Sequence, residues 1–159
     1  MNYAKDTKKG KYVVKYRDKY IGTNAPEFKS TWEQRVFYEL DTLAHVVRWG
    51  YEVHDIPYYN PISKKDTIYK PDLFVTTEVG GVMRNFLIEI KPAAFTRPPE
   101  PPKTKDGRRP SPAMIDKYRR AQAAYLVNAA KWESAKAWCR RHNVTWFVMD
   151  ENSCPFMKG

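Results

Sequence analysis

Residues 69–92 read YKPDLFVTTEVGGVMRNFLIEIKP, and how this stretch folds decides the rest. Gly80-Gly81 is a two-residue loop of the kind that supplies the positive φ angles a tight β-hairpin needs. If it is the loop, paired positions sum to 161. Val79 then faces Val82, Phe74 faces Leu87 and Asp72 faces Glu89. Opposed residues share a sheet face, as do residues two apart. One face is therefore apolar, with Leu73, Val75, Phe86, Ile88 and Ile90. Asp72, Glu89 and Lys91 collect on the other face at one end of the hairpin. Opposed carboxylates in a half-buried sheet cost up to ~1 kcal/mol, unless something positive lies between them.

A hard divalent cation fits that place, because magnesium takes one or two carboxylates and keeps its other positions for water and phosphate oxygens. An ammonium beside such an ion can hold or activate a water, which makes the cluster a hydrolytic site for phosphodiesters. A plainer reading stays open on the residues alone: Asp72 pairs with Lys91 or Lys70, and Lys91-Pro92 is the strand's exit into solvent.

Outward from the hairpin, the pattern is helix, three strands, helix, strand. Ser30-Thr31-Trp32-Glu33 fits a capping box, and Trp32, Val36, Phe37, Leu40, Leu43, Ala44 and Val47 follow at helical spacing. Residues 51–59 read as a strand, residues 60–66 as a turn, and residues 67–77 and 82–91 as the two strongest strands. Residues 113–142 read as a long helix with room for a break near Asn128, and residues 144–149 as a last strand. This order predicts an α/β fold, a mixed sheet of about four strands flanked by helices. The expected organisation is a basic N-terminal arm over residues 1–29, one domain over residues 30–150, and a tail over residues 151–159. Inside the domain, residues 96–112 carry six prolines in 17 residues and are expected to form a partly polyproline-like loop.

Charge is concentrated, not spread. The formal net charge is +10. Residues 1–30 hold eight Lys/Arg against three Asp/Glu, and residues 96–120 again hold eight against three, while the rest balances. Two such blocks around a neutral body point to a polyanion, of which nucleic acid is the commonest. Lys11, Lys15 and Arg17 in the arm are candidate phosphate contacts. So are Arg97, Lys103, Lys105, Arg108 and Arg109 in the loop, and Lys131 on the long helix. Contacts of this kind fix position and carry little sequence information. Tyr12, Tyr16 and Tyr20 recur every fourth residue and either stack on bases or pack on the domain itself. Trp32, Trp132, Trp138 and Trp146 read as core. A hydrophobic content of 42% argues against global disorder. No apolar run is long enough to span a bilayer, and the basic N-terminus lacks the apolar stretch of a secretory signal. Cys139 and Cys154 form no metal or scaffold pattern and are expected to be reduced thiols.

Pro71-Asp72 followed by Glu89-Ile90-Lys91 resembles the PD-(D/E)xK nuclease signature. The resemblance implies a restriction-endonuclease-like core with Asp72 and Glu89 as magnesium ligands, manganese being an alternative ion. Lys91 would position or activate the attacking water. Many members add a Glu from the first helix; Glu33 holds that place, though the capping box explains it equally well. Short motifs elsewhere, among them Lys19-Tyr20-Ile21-Gly22, Ser30-Thr31-Trp32-Glu33 and Ile56-Pro57-Tyr58-Tyr59-Asn60-Pro61, resemble head-completion nucleases of T-even-like tailed phages. That narrower resemblance implies a metal-dependent DNA endonuclease acting on packaged DNA or its end. It further implies head or portal proteins as partners, a place in the host cytoplasm or on the virion, and neither membrane nor nucleotide cofactor. Two other readings remain: a non-catalytic virion plug that keeps the fold and binds a DNA end, and a stand-alone junction or repair nuclease.

Overall fold

The computed structural model describes residues 8–153. Its centre is a four-stranded mixed sheet. Strands β3 (Val46–Tyr51), β6 (Leu73–Val79), β7 (Val82–Ile90) and β8 (Thr145–Met149) lie in the order β3-β6-β7-β8. The first three are mutually antiparallel, and β8 runs parallel to β7. The β6–β7 hairpin has the expected register, from Val79↔Val82 to Leu73↔Ile88. Gly80 and Gly81 have φ of 58° and 77°, a turn conformation that side chains with a Cβ resist.

Both faces of the sheet are covered. On one, Leu73, Val75, Ile88, Ile90 and Met149 pack against Val36, Phe37 and Leu40 of helix α1 (Thr31–Thr42). On the other, Leu87 and Phe74 pack against helix α2 (Pro112–His142) through Ala135 and Cys139. The same face meets a separate two-stranded hairpin, β4 (Ile56–Asn60) and β5 (Lys65–Tyr69), through Ile56, Tyr58 and Tyr69. Helix α2 starts on Ser111, whose Oγ accepts from Met114 N at 3.2 Å, and stops at Asn143 in the left-handed region with φ 54°.

Several expectations give way. The first helix ends at Thr42, not Val47, and Val46–Tyr51 is an edge strand paired to β6. Leu43 and Val47 kept helical spacing by coincidence, and no Gly or Pro marks the stop. The run 67–77 is two strands, because Pro71 has no N–H to donate and breaks the ladder. Helix α2 is unbroken at Asn128; the Ala-rich stretch around it favours helix throughout.

The described part of residues 1–29 is not an extended arm. Strands β1 (Gly10–Lys11) and β2 (Glu27–Phe28) pair with each other. The backbone at Lys19 and Ile21 bonds Trp49 at 2.9 Å on both sides, adding a short parallel rung outside β3. Asp41, fully buried on α1, holds the segment down. It accepts from Tyr12 Oη at 2.8 Å, Lys15 N at 2.7 Å and Tyr16 N at 3.2 Å. Tyr12 and Tyr20 are core residues, while Tyr16 stays half-exposed under the Lys19 ammonium. Residues 96–111 contain no helix or strand, as expected, and Pro112 already opens helix α2. Residues 151–153 of the expected tail are described; residues 1–7 and 154–159, Cys154 included, lie outside the described residues.

Candidate active site

Strand β7 delivers Glu89 to the α2 side of the sheet, in line with Leu87, and the side chain is buried at 8% exposure. Asp72 sits one residue before β6, just past the last paired rung. Its carboxylate stays in register because Oδ2 accepts from Ile90 N at 2.7 Å, the carboxylate replacing a main-chain carbonyl. The Asp72 and Glu89 side chains hydrogen-bond to each other. The hairpin arithmetic thus brings the two acids together at the sheet's end.

Two acids in contact cannot both stay charged in a dry place. Burial, then the Glu89 charge, pushes the Asp72 carboxyl well above the ordinary carboxylate range, with Glu33 adding to the effect and Ile90 N–H opposing it. Burial also raises Glu89, against the Tyr69 hydroxyl, the Lys91 charge, the Asp72 hydrogen bond and the Lys131 charge. Both carboxyls are thus held above the ordinary carboxylate range, Asp72 well above it. Tyr69, at the end of β5, donates its hydroxyl to Glu89 Oε2; burial and the adjacent carboxylate hold that phenol far above its usual range. Lys131, half-buried on α2, lies over the rings of Tyr69 and Tyr58, its Nζ 5.5 and 5.8 Å from their centroids.

Lys91 follows β7 directly. Its N–H bonds Met149 O at 2.9 Å, which anchors the strand exit to β8. Its ammonium acts on Glu89 through space, and among the described residues it makes no ion pair within 4.0 Å. The alternative pairing of Asp72 with Lys70 is not present, since Lys70 pairs with Asp55 at 2.5 Å. Glu33 is not gathered in. Its N–H donates to Ser30 Oγ at 3.1 Å, half of the expected capping box, and its carboxylate accepts from Lys29 N. Its charge reaches Asp72. Among the described residues no three acidic, imidazole or thiol groups stand close enough to share a metal. A two-carboxylate donor set suits magnesium, which leaves most of its positions to water and substrate, and a cation between the acids would relieve their repulsion. Asp72 and Glu89 fit the ion; Glu33 does not reach it in this conformation.

The basic residues fall into three groups. Lys11 lies on β1, 4.0 Å from Glu27; Lys15 lies over the Tyr38 ring of α1 at 5.0 Å; Arg17 is exposed nearby. These follow the folded N-terminal segment. Arg97, Lys103, Lys105, Arg108 and Arg109 are exposed along the Pro-rich loop, Lys103 3.1 Å from Glu100. Of these candidates, Lys131 is the one whose charge acts on Glu89. Gln122 Nε2 donates to Tyr118 Oη at 3.0 Å on the exposed first half of α2. Sequence reasoning missed Tyr69. Its signal, a Tyr three residues before the Asp, means nothing until the β4–β5 hairpin is known to fold back over Glu89.

A head completion nuclease of Enterobacteria phage T4 is 28% identical to this chain over 144 residues, covering 90% of this chain and 91% of that protein. Residues 43–151, which include Asp72, Glu89, Lys91, Tyr69 and Lys131 but not Glu33, match the TnsA-like endonuclease N-terminal domain. The mixed sheet with its acid pair at the end of a β-hairpin therefore has a family: the chain belongs to the TnsA-like endonuclease N-terminal family, with a restriction-endonuclease-like α/β fold.

Proposed function

We propose that the protein is a magnesium-dependent DNA endonuclease of the PD-(D/E)xK type that serves phage head completion. The observation that carries the chemistry is the adjoining pair of a buried Glu89 and a partly buried Asp72, with Lys91 beside it. Asp72 and Glu89 hold the cation, manganese being able to replace magnesium. When bound, the ion polarises a phosphate oxygen and makes a water a better nucleophile at neutral pH. Lys91 positions the attacking water on the exposed side of the pair. The water oxygen forms the new bond to phosphorus as the bond to the departing sugar oxygen breaks. Lys131, held over two aromatic rings, is placed to meet a phosphate near the acids. Lys11, Lys15, Arg17, Arg97, Lys103, Lys105, Arg108 and Arg109 bind the backbone without reading sequence.

The setting follows from the phage relative, which matches nearly the whole chain. That relative's name supports a nuclease role in head completion; to this we add packaged DNA or its end as the substrate, the host cytoplasm and the virion as the place, and head or portal proteins as neighbours. Among the described residues no helix is long and apolar enough to cross a membrane.

Incubation of the protein with supercoiled, linear and branched DNA tests the reading. Cleavage is expected with Mg2+, lost in EDTA, and reduced at least about 100-fold by Asp72→Asn and by Lys91→Ala. Full activity of Asp72→Asn would overturn the site. DNA binding with no cleavage under any divalent metal would identify a plug with a nuclease fold instead.

A further inference from the structure

The β4–β5 hairpin shares no ladder with the central sheet, yet its last residue touches the acid pair. Tyr69 is 5% exposed, its ring set edge-on to Tyr58 at 6.4 Å with the Lys131 ammonium above both. A phenylalanine would make the same ring contacts. The hydroxyl adds nothing to the packing, and burying one without a partner costs free energy. Its partner is Glu89 Oε2. Glu89 in turn is buried, and the Tyr69 hydroxyl is the hydroxyl that donates to its carboxylate among the described residues.

We propose that Tyr69 is a positioning residue of the cation site. Its hydroxyl fixes one oxygen of Glu89, which sets the rotation of the carboxylate and aims it at the space shared with Asp72. Tyr69 also ends β5 three residues before Asp72, across the Lys70-Pro71 link. The one hairpin therefore orients Glu89 through a side chain and delivers Asp72 through the chain. Partners that orient metal ligands in this way commonly matter about 10- to 100-fold in metal affinity. The proposal rests on the reading of Asp72 and Glu89 as cation ligands.

Titration of the full-length protein with Mn2+ in the absence of DNA, followed by the electron paramagnetic resonance of free Mn2+, tests it. Tyr69→Phe is expected to weaken Mn2+ binding about 10-fold. In cleavage assays the same variant should need correspondingly more metal yet keep kcat near wild type once saturated. Tyr58→Phe, which removes the neighbouring hydroxyl from the same hairpin, should bind Mn2+ as the wild type does. Unchanged affinity in Tyr69→Phe, or an equal loss in Tyr58→Phe, would overturn the positioning role while leaving the cation site standing. A wild-type protein that binds no Mn2+ would overturn both.

Discussion

Asp72 is under two opposed demands. The proposed chemistry needs it charged beside Glu89, while burial and the Glu89 charge hold its carboxyl well above the ordinary carboxylate range. Asp72→Asn should therefore abolish cleavage and, in EDTA, raise stability. Asparagine can still accept from Ile90 N and donate to Glu89. Relief of the like-charge contact is worth up to about 1 kcal/mol, or about 2–4 °C in Tm for a chain of this size. The pH dependence has a definite sign. Asp72 and Glu89 both have raised folded-state values, so the folded protein binds more protons than the unfolded chain above the ordinary carboxylate range. Stability without metal is fullest below that range and falls as pH rises through the raised values, and the advantage of Asp72→Asn should grow with it. Thermal melts in EDTA across acidic to neutral pH measure both effects. That Asp72, Glu89 and Lys91 gather at one end of the hairpin was legible in the sequence because a strand's period of two and one glycine turn fix where side chains go. Tyr69 was not legible, because its contact depends on how a second hairpin docks. Glu33 was legible as a cap, and its carboxylate is occupied by Lys29 N.

Elements read well where local chemistry dictates them and poorly where tertiary partners do. The Gly80-Gly81 turn and the Ser111 and Asn143 ends of α2 are written into the chain. Strand β3 is not, since Val46–Tyr51 becomes a strand by pairing with β6. The N-terminal segment looked like an arm because its basic, tyrosine-rich sequence has no period. What folds it is Asp41, twenty-odd residues further on, with bonds to Tyr12, Lys15 and Tyr16, while the Lys19 ammonium bonds the main-chain carbonyls of Asp41 and Leu43. Hydrogen bonds to a buried charge are worth about 1.5–3 kcal/mol each, and they do not add fully. Asp41→Ala is expected to cost about 3 kcal/mol by urea unfolding, and to expose residues 10–28 to proteolysis before the central sheet opens. A cost within 0.5 kcal/mol of zero would mean that the segment is held by its aromatic contacts alone.

Across the whole chain, the positive excess and the acid pair lie in different segments. The acid pair sits at the end of a sheet covered on both faces, whereas the positive excess lies in residues 1–30 and 96–120. Each phosphate neutralised adds about 0.9 to the steepness with which log affinity falls against log salt on duplex DNA. Replacing Arg108 and Arg109 together by alanine should lower that slope by about 2, with Mg2+ dependence unchanged, as read by fluorescence anisotropy over a salt series. An unaltered slope would take the Pro-rich loop out of the interface. The proposed chemistry turns on a divalent ion shared by Asp72 and Glu89 on neighbouring strands. Crystals soaked in Mn2+ and measured at the manganese absorption edge test it most directly. The account predicts an anomalous peak about 2.0–2.4 Å from oxygens of both Asp72 and Glu89. No peak there, or a peak that touches only one of the two, would contradict it.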